Sequence, residues 1–313
     1  MRFFVAVTDY DWFRLHQCRP HVAEVNFWRP SPEASFAALG KGEMFLFKLH
    51  SPRNFIVGGG FFTRFVRLPI SIAWDAFGEG NGVRSVSEMR ERIAQYRRIT
   101  IEPNDNPNVG CILLAEPFFF PEQAWIPMPL DFSPNIVSGK KYDSESGDTG
   151  KTLWMDVTER LGLASVMNDT PGPATVAAVE SARYGKPMIV QPRLGQGIFR
   201  AMVTDNYERR CAITGERTLP VLDAAHIKPY SVGGPHEPNN GLLLRSDLHT
   251  LFDQGYLTVD ATDLKVVVSA RIREEFENGR DYYHLHGKPI RLPLETISHP
   301  SSEYLAFHNG TFH

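Results

Sequence analysis

Three short segments in the last third of this 313-residue chain carry side chains that handle protons and cations. Leu222 to Ile227 is a mostly apolar run that bears Asp223 and reaches His226, and Pro229 stops it, so it reads as a strand. Ser231 to Asn240 is a polar loop. Ser246 is placed to cap a short helix that carries His249 and Asp253 four residues apart and therefore on one face. A neutral imidazole, with an unperturbed pKa of about 6.5, can take a proton from water near neutral pH. A divalent ion held by carboxylate and imidazole can polarise a phosphate and neutralise a departing oxygen. Taken singly, a histidine at a strand end is more often structural, and a His/Asp pair on a helix is more often a surface pair. Strand histidine, loop asparagine and helix pair in this order, with the flanking apolar pattern, favour chemistry.

The spacing adds detail. Asn240 lies fourteen residues after His226, and His249 nine residues after Asn240. With Tyr207 to Gly215 and the lead-in Arg193-Leu194-Gly195-Gln196-Gly197, these residues resemble the HNH endonuclease family, built on a ββα-metal core, over about residues 193–260. The resemblance implies that His226 is the general base of phosphodiester hydrolysis and that Asn240 is the central asparagine, holding the loop geometrically. It implies His249 as a metal ligand and Asp253 as a second ligand from the same helix. The cofactor implied is one divalent cation, Mg²⁺ first, with Mn²⁺, Co²⁺ or Ni²⁺ as alternatives for a mixed oxygen and nitrogen ligand set. The sequence departs from the family at two places. Many members carry a ligand immediately before the base, where this chain has Ala225; Asp223, on the same side of the strand, is the expected substitute. Many also hold the motif with paired CxxC zinc sites, whereas here Thr214 replaces the partner of Cys211, so packing must do that work.

The elements upstream differ in texture. Phe3 to Val7 reads as a strand and Asp11 to Leu15 as the start of a helix. Residues 43–49 and 54–62 read as a hairpin turning at Ser51-Pro52-Arg53. Gly58-Gly59-Gly60 is not followed by Lys-Ser/Thr, so a bulge or barrel corner explains it better than a phosphate loop. Residues 86–98 have helical spacing, and Gly110 to Leu114 is strand-like. This pattern, with Asn26-Phe27-Trp28-Arg29-Pro30, resembles the PUA-like superfamily, which includes the EVE and SRA domains that read modified bases. The expected architecture is α+β: a PUA-like β-barrel with helices over 1–135, a partly helical connector over 136–192, and an HNH domain with a C-terminal extension over 193–313. The whole chain resembles predicted restriction endonucleases that join such domains.

A reader of modified bases must hold an unstacked base between aromatic faces. Trp12, Phe27, Trp28 and Trp74 are the candidates for that role, with Asn26, Asp11 and Asn54 as possible readers of the base edge. Lys48, Arg53, Arg64 and Arg67, with His50, are candidate phosphate contacts around the hairpin. The Phe118-Phe119-Phe120 run is assigned to core. The function expected is modification-dependent restriction of DNA, reading modified cytosine as a type IV-like enzyme would. The rivals are a nonspecific or effector-released nuclease of DNA or RNA, and a nucleic-acid reader whose HNH part is vestigial.

Composition bounds these readings. Hydrophobic residues make up 42% and charged residues 22%, which excludes disorder and coiled coil. The net charge of -3 gives no global basic field, so contact with DNA must use a local patch. Three scattered cysteines form no disulfide framework, no apolar run approaches the roughly 18 residues of a membrane span, and the apolar start meets Thr8-Asp9 too soon for a signal peptide. A cytoplasmic protein without a membrane partner is expected, and cutting both strands from a one-site chain would favour a homodimer. The segment from Asp263 to His313 is expected to pack around the nuclease core, with His284, His286, His299 and His308 at the surface.

Overall fold

The run Met44-Phe45-Leu46-Phe47 has no polar alternation because its strand is buried on both faces of a sheet. In the computed structural model, Met44 and Leu46 join one core layer and Phe45 and Phe47 another. The structure describes all residues except 20, 21, 34, 103, 168–172, 185–191 and 313. The chain divides into two units, Met1–Ile198 and Phe199–His313.

The first unit holds a seven-stranded sheet: β1 (Arg2–Thr8), β2 (Glu24–Arg29), β3 (Met44–Leu49), β4 (Phe55–Pro69), β5 (Asn108–Phe119), β6 (Ile126–Pro127) and β7 (Gly139–Asp143). The strand order is β2-β5-β4-β3-β1-β7, with β6 paired to β4. All pairs are antiparallel except β1 with β3. β4 is long, and its register against β5 shifts between Gly59 and Phe61 and again between Phe62 and Arg64. A Cβ on Gly59 would stand 2.6 Å from the Phe45 carbonyl oxygen and 2.7 Å from the Phe118 ring, so glycine permits the close approach. The expected barrel does not appear as a closed sheet: β2 and β7 end the strand path and do not pair among the described residues. Groups from the segment between β4 and β5 instead bond to the β2 end. Trp28 on β2 donates to the Asn81 carbonyl, and Arg97 to the Pro30 carbonyl just beyond it.

Helix α1 (Tyr10–Gln17) covers one face of the sheet with Trp12 and Phe13. Helices α2 (Ile70–Phe77) and α3 (Val86–Arg97) follow β4, and Ser85 caps α3 by accepting from the Glu88 amide. The opposite face is covered by α4 (Asp148–Met167) and α5 (Pro173–Tyr184). Leu153, Trp154 and Val157 of α4 pack with Phe3, Val5 and Phe61. Residues 136–192, expected as a connector, thus include a strand of the sheet and a helix of its core. The breaker cluster expected at 168–173 lies almost wholly outside the described residues. Among the described residues no helix is long and apolar enough to cross a membrane.

Helix α6 (Gln196–Asn206) leads into the second unit. Its first amides, those of Gly197 and Ile198, donate to the Glu24 carboxylate at 2.6 and 2.9 Å. Then come β8 (Leu222–His226), β9 (Gly241–Arg245), α7 (Ser246–Asp253), β10 (Leu257–Val259), β11 (Val266–Val268), α8 (Arg271–Phe276), α9 (Arg280–Tyr283) and α10 (Ser302–Asn309). β8 pairs antiparallel with β9, His226 opposite Gly241, and β10 pairs with β11. Residues 263–313 pack on this core. His308, expected at the surface, is buried and stacks on Phe252 with ring centres 3.6 Å apart. Its Nε2 lies 3.0 Å from the Phe252 carbonyl oxygen and its Nδ1 2.7 Å from Thr258 Oγ1.

Candidate active site

Strand, loop and helix converge in the second unit because their apolar residues share one core. Leu222, Ala225 and Ile227 are buried, as are Leu242, Leu243 and Leu244 of β9. Leu248 and Phe252, four apart on α7, face the same core. His249 and Asp253 each follow one of them, so they share the adjacent helix face, from which His249 reaches Asp223 of β8. Arg245 fixes the start of α7 by donating twice to the Asp247 carboxylate, at 2.7 Å each. Ser246 does not cap the helix as expected; its hydroxyl donates to the Val221 carbonyl at 3.2 Å.

His226 ends β8 half-buried, with its ring stacked on Phe199 of α6 at 3.9 Å and 12°. Its Nε2 lies 2.9 Å from Nδ1 of His236, whose ring stacks on Tyr230. Burial, with smaller contributions from His236 and His249, lowers the His226 pKa to about 4. Burial lowers that of His236 as well. Neutral imidazole is therefore the resting form of both rings at neutral pH.

Asn240 is fully buried. Its Oδ1 accepts from the Lys228 amide at 2.8 Å, and its Nδ2 donates to the carbonyls of Lys228 (3.0 Å) and Pro235 (2.9 Å). It ties the start of the loop to the residue before His236.

His249 sits between two carboxylates. Its Nδ1 is 3.6 Å from Asp223 and its Nε2 3.3 Å from Asp253. The two acids flank opposite nitrogens of one ring, so they do not converge with the imidazole on a single point. Among the described residues, no group of three or more His, Cys, Asp or Glu side chains is arranged to hold a metal ion. The donor chemistry of Asp223 and His249 Nδ1, one carboxylate oxygen facing one imidazole nitrogen, fits a hard divalent cation held by two residues. Asp253 lies on the other edge, where a ligating imidazole normally donates its second N–H. Ala225 is fully buried and has no side chain to ligate; Cys211 is a free, buried thiol.

The residues match. Residues 211–260 fit the family model described as HNH endonuclease. This segment is an HNH endonuclease domain. The chain is therefore a nuclease, a domain of this kind implies DNA as substrate, and the family generally uses a divalent metal. A solved structure titled a modification-dependent TagI restriction endonuclease is also similar, at 15% identity and a TM-score of 0.29, covering 94% of this chain and 77% of that one. No curated protein matches the chain.

In the first unit, a cavity of about 480 Å³ opens between β1, β2 and α3. Trp12, Phe27 and Trp28 line it, joined by Phe4, Phe36 and Phe45. Trp74 does not line it. Trp12 is mostly core, edge-on to Phe47 and Phe27, and exposes little surface. Of the polar groups at the cavity, His50 is among the candidate phosphate contacts read from the sequence, whereas Asp9 and Arg29 are not; the Asp9 carboxylate accepts from the Tyr96 hydroxyl at 2.5 Å and lies 3.4 Å from His50 Nε2. Asn26, considered as an edge reader, is buried against Asn81 instead, and Asn54 is occupied by Lys48.

Of the expected phosphate contacts, His50 lines the cavity, and Lys48, Arg53, Arg64 and Arg67 do not. Lys48 is buried, with its ammonium donating to Asn54 Oδ1 at 2.8 Å, and burial lowers its pKa. Arg67 donates to the carbonyls of Pro32 and Glu33. Arg53 lies over the Tyr10 ring at 3.6 Å, and Arg64 is half-buried on β4.

Proposed function

We propose that the chain is a metal-dependent DNA endonuclease directed to modified DNA, reading modified cytosine through its N-terminal unit, which we take as PUA-like. The observation that carries the reading is the cavity. Aromatic side chains of Phe27 and Trp28 line it with a carboxylate, Asp9, that can accept from an exocyclic amine. Phe27 and Trp28 supply stacking, Asp9 the edge contact, Arg29 positive charge and His50 a ring N–H for flanking phosphates.

In the HNH domain, His226 Nδ1 has no hydrogen-bond partner among the described residues, so it is open to a water and can take its proton when the ring's own hydrogen is on Nε2. Asp223 and His249 Nδ1 would hold the cation, Mg²⁺ first, and Asp253 would orient the imidazole through Nε2. Bound there, the cation supplies positive charge to the scissile phosphate and its departing oxygen. Asn240 keeps the loop folded. Cutting both strands from one site per chain calls for two copies, and defence against phage DNA is the biology this fits.

The test is digestion of one plasmid prepared unmodified, with 5-methylcytosine, and with 5-hydroxymethylcytosine, in Mg²⁺ and in Mn²⁺, by the wild type and by Trp28→Ala. The reading expects cutting confined to a modified form and lost in the variant. Equal cutting of all three forms overturns the reader and leaves a nonspecific nuclease; no cutting of any overturns the whole.

A further inference from the structure

His236 stands outside the family spacing and in the loop, yet the fold delivers it to the nuclease base from ten residues away. Three devices hold it there. Asn240 Nδ2 donates to the carbonyl of Pro235, the residue before it. The loop folds back so tightly at Gly234 that a Cβ would stand 1.8 Å from the Lys228 carbonyl oxygen, and Gly233 before it has φ +84. Tyr230 stacks on the His236 ring at 4.4 Å and 10°. On the other side, Phe199 holds the face of His226.

We propose that His236 is a positioning residue that fixes which nitrogen of His226 takes the proton, an inference that rests on reading His226 as the base. Two neutral imidazoles joined through one contact share a single proton, so two arrangements exist. If His236 Nδ1 donates, His226 Nε2 spends its lone pair and Nδ1 carries the hydrogen, leaving the base with no site for a proton. If His226 Nε2–H donates to His236 Nδ1, the lone pair of His226 Nδ1 is free. Only the second arrangement is competent.

In that arrangement an attacking water gives one proton to His226 Nδ1. The water oxygen forms its bond to phosphorus while the bond to the departing 3′ oxygen breaks. The bonding pair leaves with that oxygen, which is then protonated by solvent. His226, now an imidazolium, still donates Nε2–H to His236, and the bond is stronger because its donor has become charged. His236 thus stabilises the protonated base as it forms. Its own hydrogen sits on Nε2, on a half-buried ring that water can reach.

The experiment compares wild type, His236→Ala, His236→Leu and His236→Asn in steady-state cleavage of one DNA duplex that the wild type cuts, with His226→Ala as a control. The Asn carboxamide oxygen occupies the region of Nδ1 and can accept from His226; Ala and Leu cannot. Ala and Leu should lower kcat about 10- to 100-fold while KM for DNA stays within about threefold, and Asn should recover most of the loss. Asn as impaired as Leu, or a rise in KM with kcat unchanged, overturns the proposal. In parallel, ¹⁵N-histidine spectra of the wild-type full chain should show His226 protonated at Nε2 and bare at Nδ1; the opposite tautomer also overturns it. Activity surviving in His226→Ala would instead remove the base assignment, a failure distinct from that of His236.

Discussion

Replacing Asn240 by alanine removes three hydrogen bonds from a side chain with no exposed surface. A typical intramolecular hydrogen bond contributes about 1 kcal/mol net. The Lys228 amide and the carbonyls of Lys228 and Pro235 lose their partner together, so the expected cost is about 3 kcal/mol. That is a large share of the roughly 5–15 kcal/mol that stabilises a domain. Aspartate at the same position keeps the acceptor for the Lys228 amide but turns a carboxylate oxygen toward two carbonyls, and should be at least as destabilising as alanine. The reporter is hydrogen exchange at the β8 and β9 amides, which reads the nuclease unit independently of the first unit. Cleavage measured well below the transition should fall further than the folded fraction, because the released loop no longer presents His236 to His226. A loss under about 1 kcal/mol, or an aspartate variant more stable than the alanine one, would refute the clamp.

Other outcomes follow from the same geometry. Because burial holds the His226 pKa at about 4, the neutral base persists on acidification, and kcat/KM should lack an acid limb centred near pH 6.5; a pH series over 4–8 checks this. His16 is fully buried between Trp12 and Phe119 with both ring nitrogens unpartnered, and burial lowers its pKa to about 3. The unfolded chain therefore binds the extra proton first, so this contribution to stability is complete above about pH 6.5 and declines toward pH 3 by up to about 1.4 kcal/mol per pH unit. His16→Leu should melt higher than wild type, by a margin that widens from pH 7.5 to pH 5 in calorimetry. Chelation should stop cleavage. In a metal titration Asp223→Ala should need far more cation than Asp253→Ala, whose loss leaves both proposed ligands in place.

The site was most legible where chemistry constrains spacing. A strand that ends on His226, an asparagine that closes its loop, and a helix pair at 249 and 253 are local relations, and each survives into the structure. The seam between β8, β9 and α7 was legible too, because Leu222, Leu242 to Leu244, Leu248 and Phe252 follow their periods. His236 was not, since a loop has no period and its position depends on Asn240, Gly234 and Tyr230 acting together. Asp253 shows the same limit: helical spacing places it beside His249 but does not say which ring nitrogen it meets.

The N-terminal cavity was legible only in its strand residues. Phe27 and Trp28 lie on one strand, whereas Asp9 just after β1, His50 just after β3 and Tyr96 on α3 come together from three separate segments. Aromatic type alone could not distinguish Trp28 at the cavity from Trp74 outside it. Charge alone could not reveal that Lys48 is buried on β3 and already paired. The long β4 with its shifts around Gly59 was foreshadowed by the three glycines, but whether the bent sheet would close depended on the distant ends, β2 and β7.

The central claim, that His226 is the base of this nuclease, is tested most directly by single-turnover cleavage of one DNA duplex in Mg²⁺ by wild type and His226→Ala. The account predicts a rate lower by about 10²- to 10⁴-fold, with β8 and β9 exchange protection unchanged. A variant that cuts within threefold of wild type would contradict it.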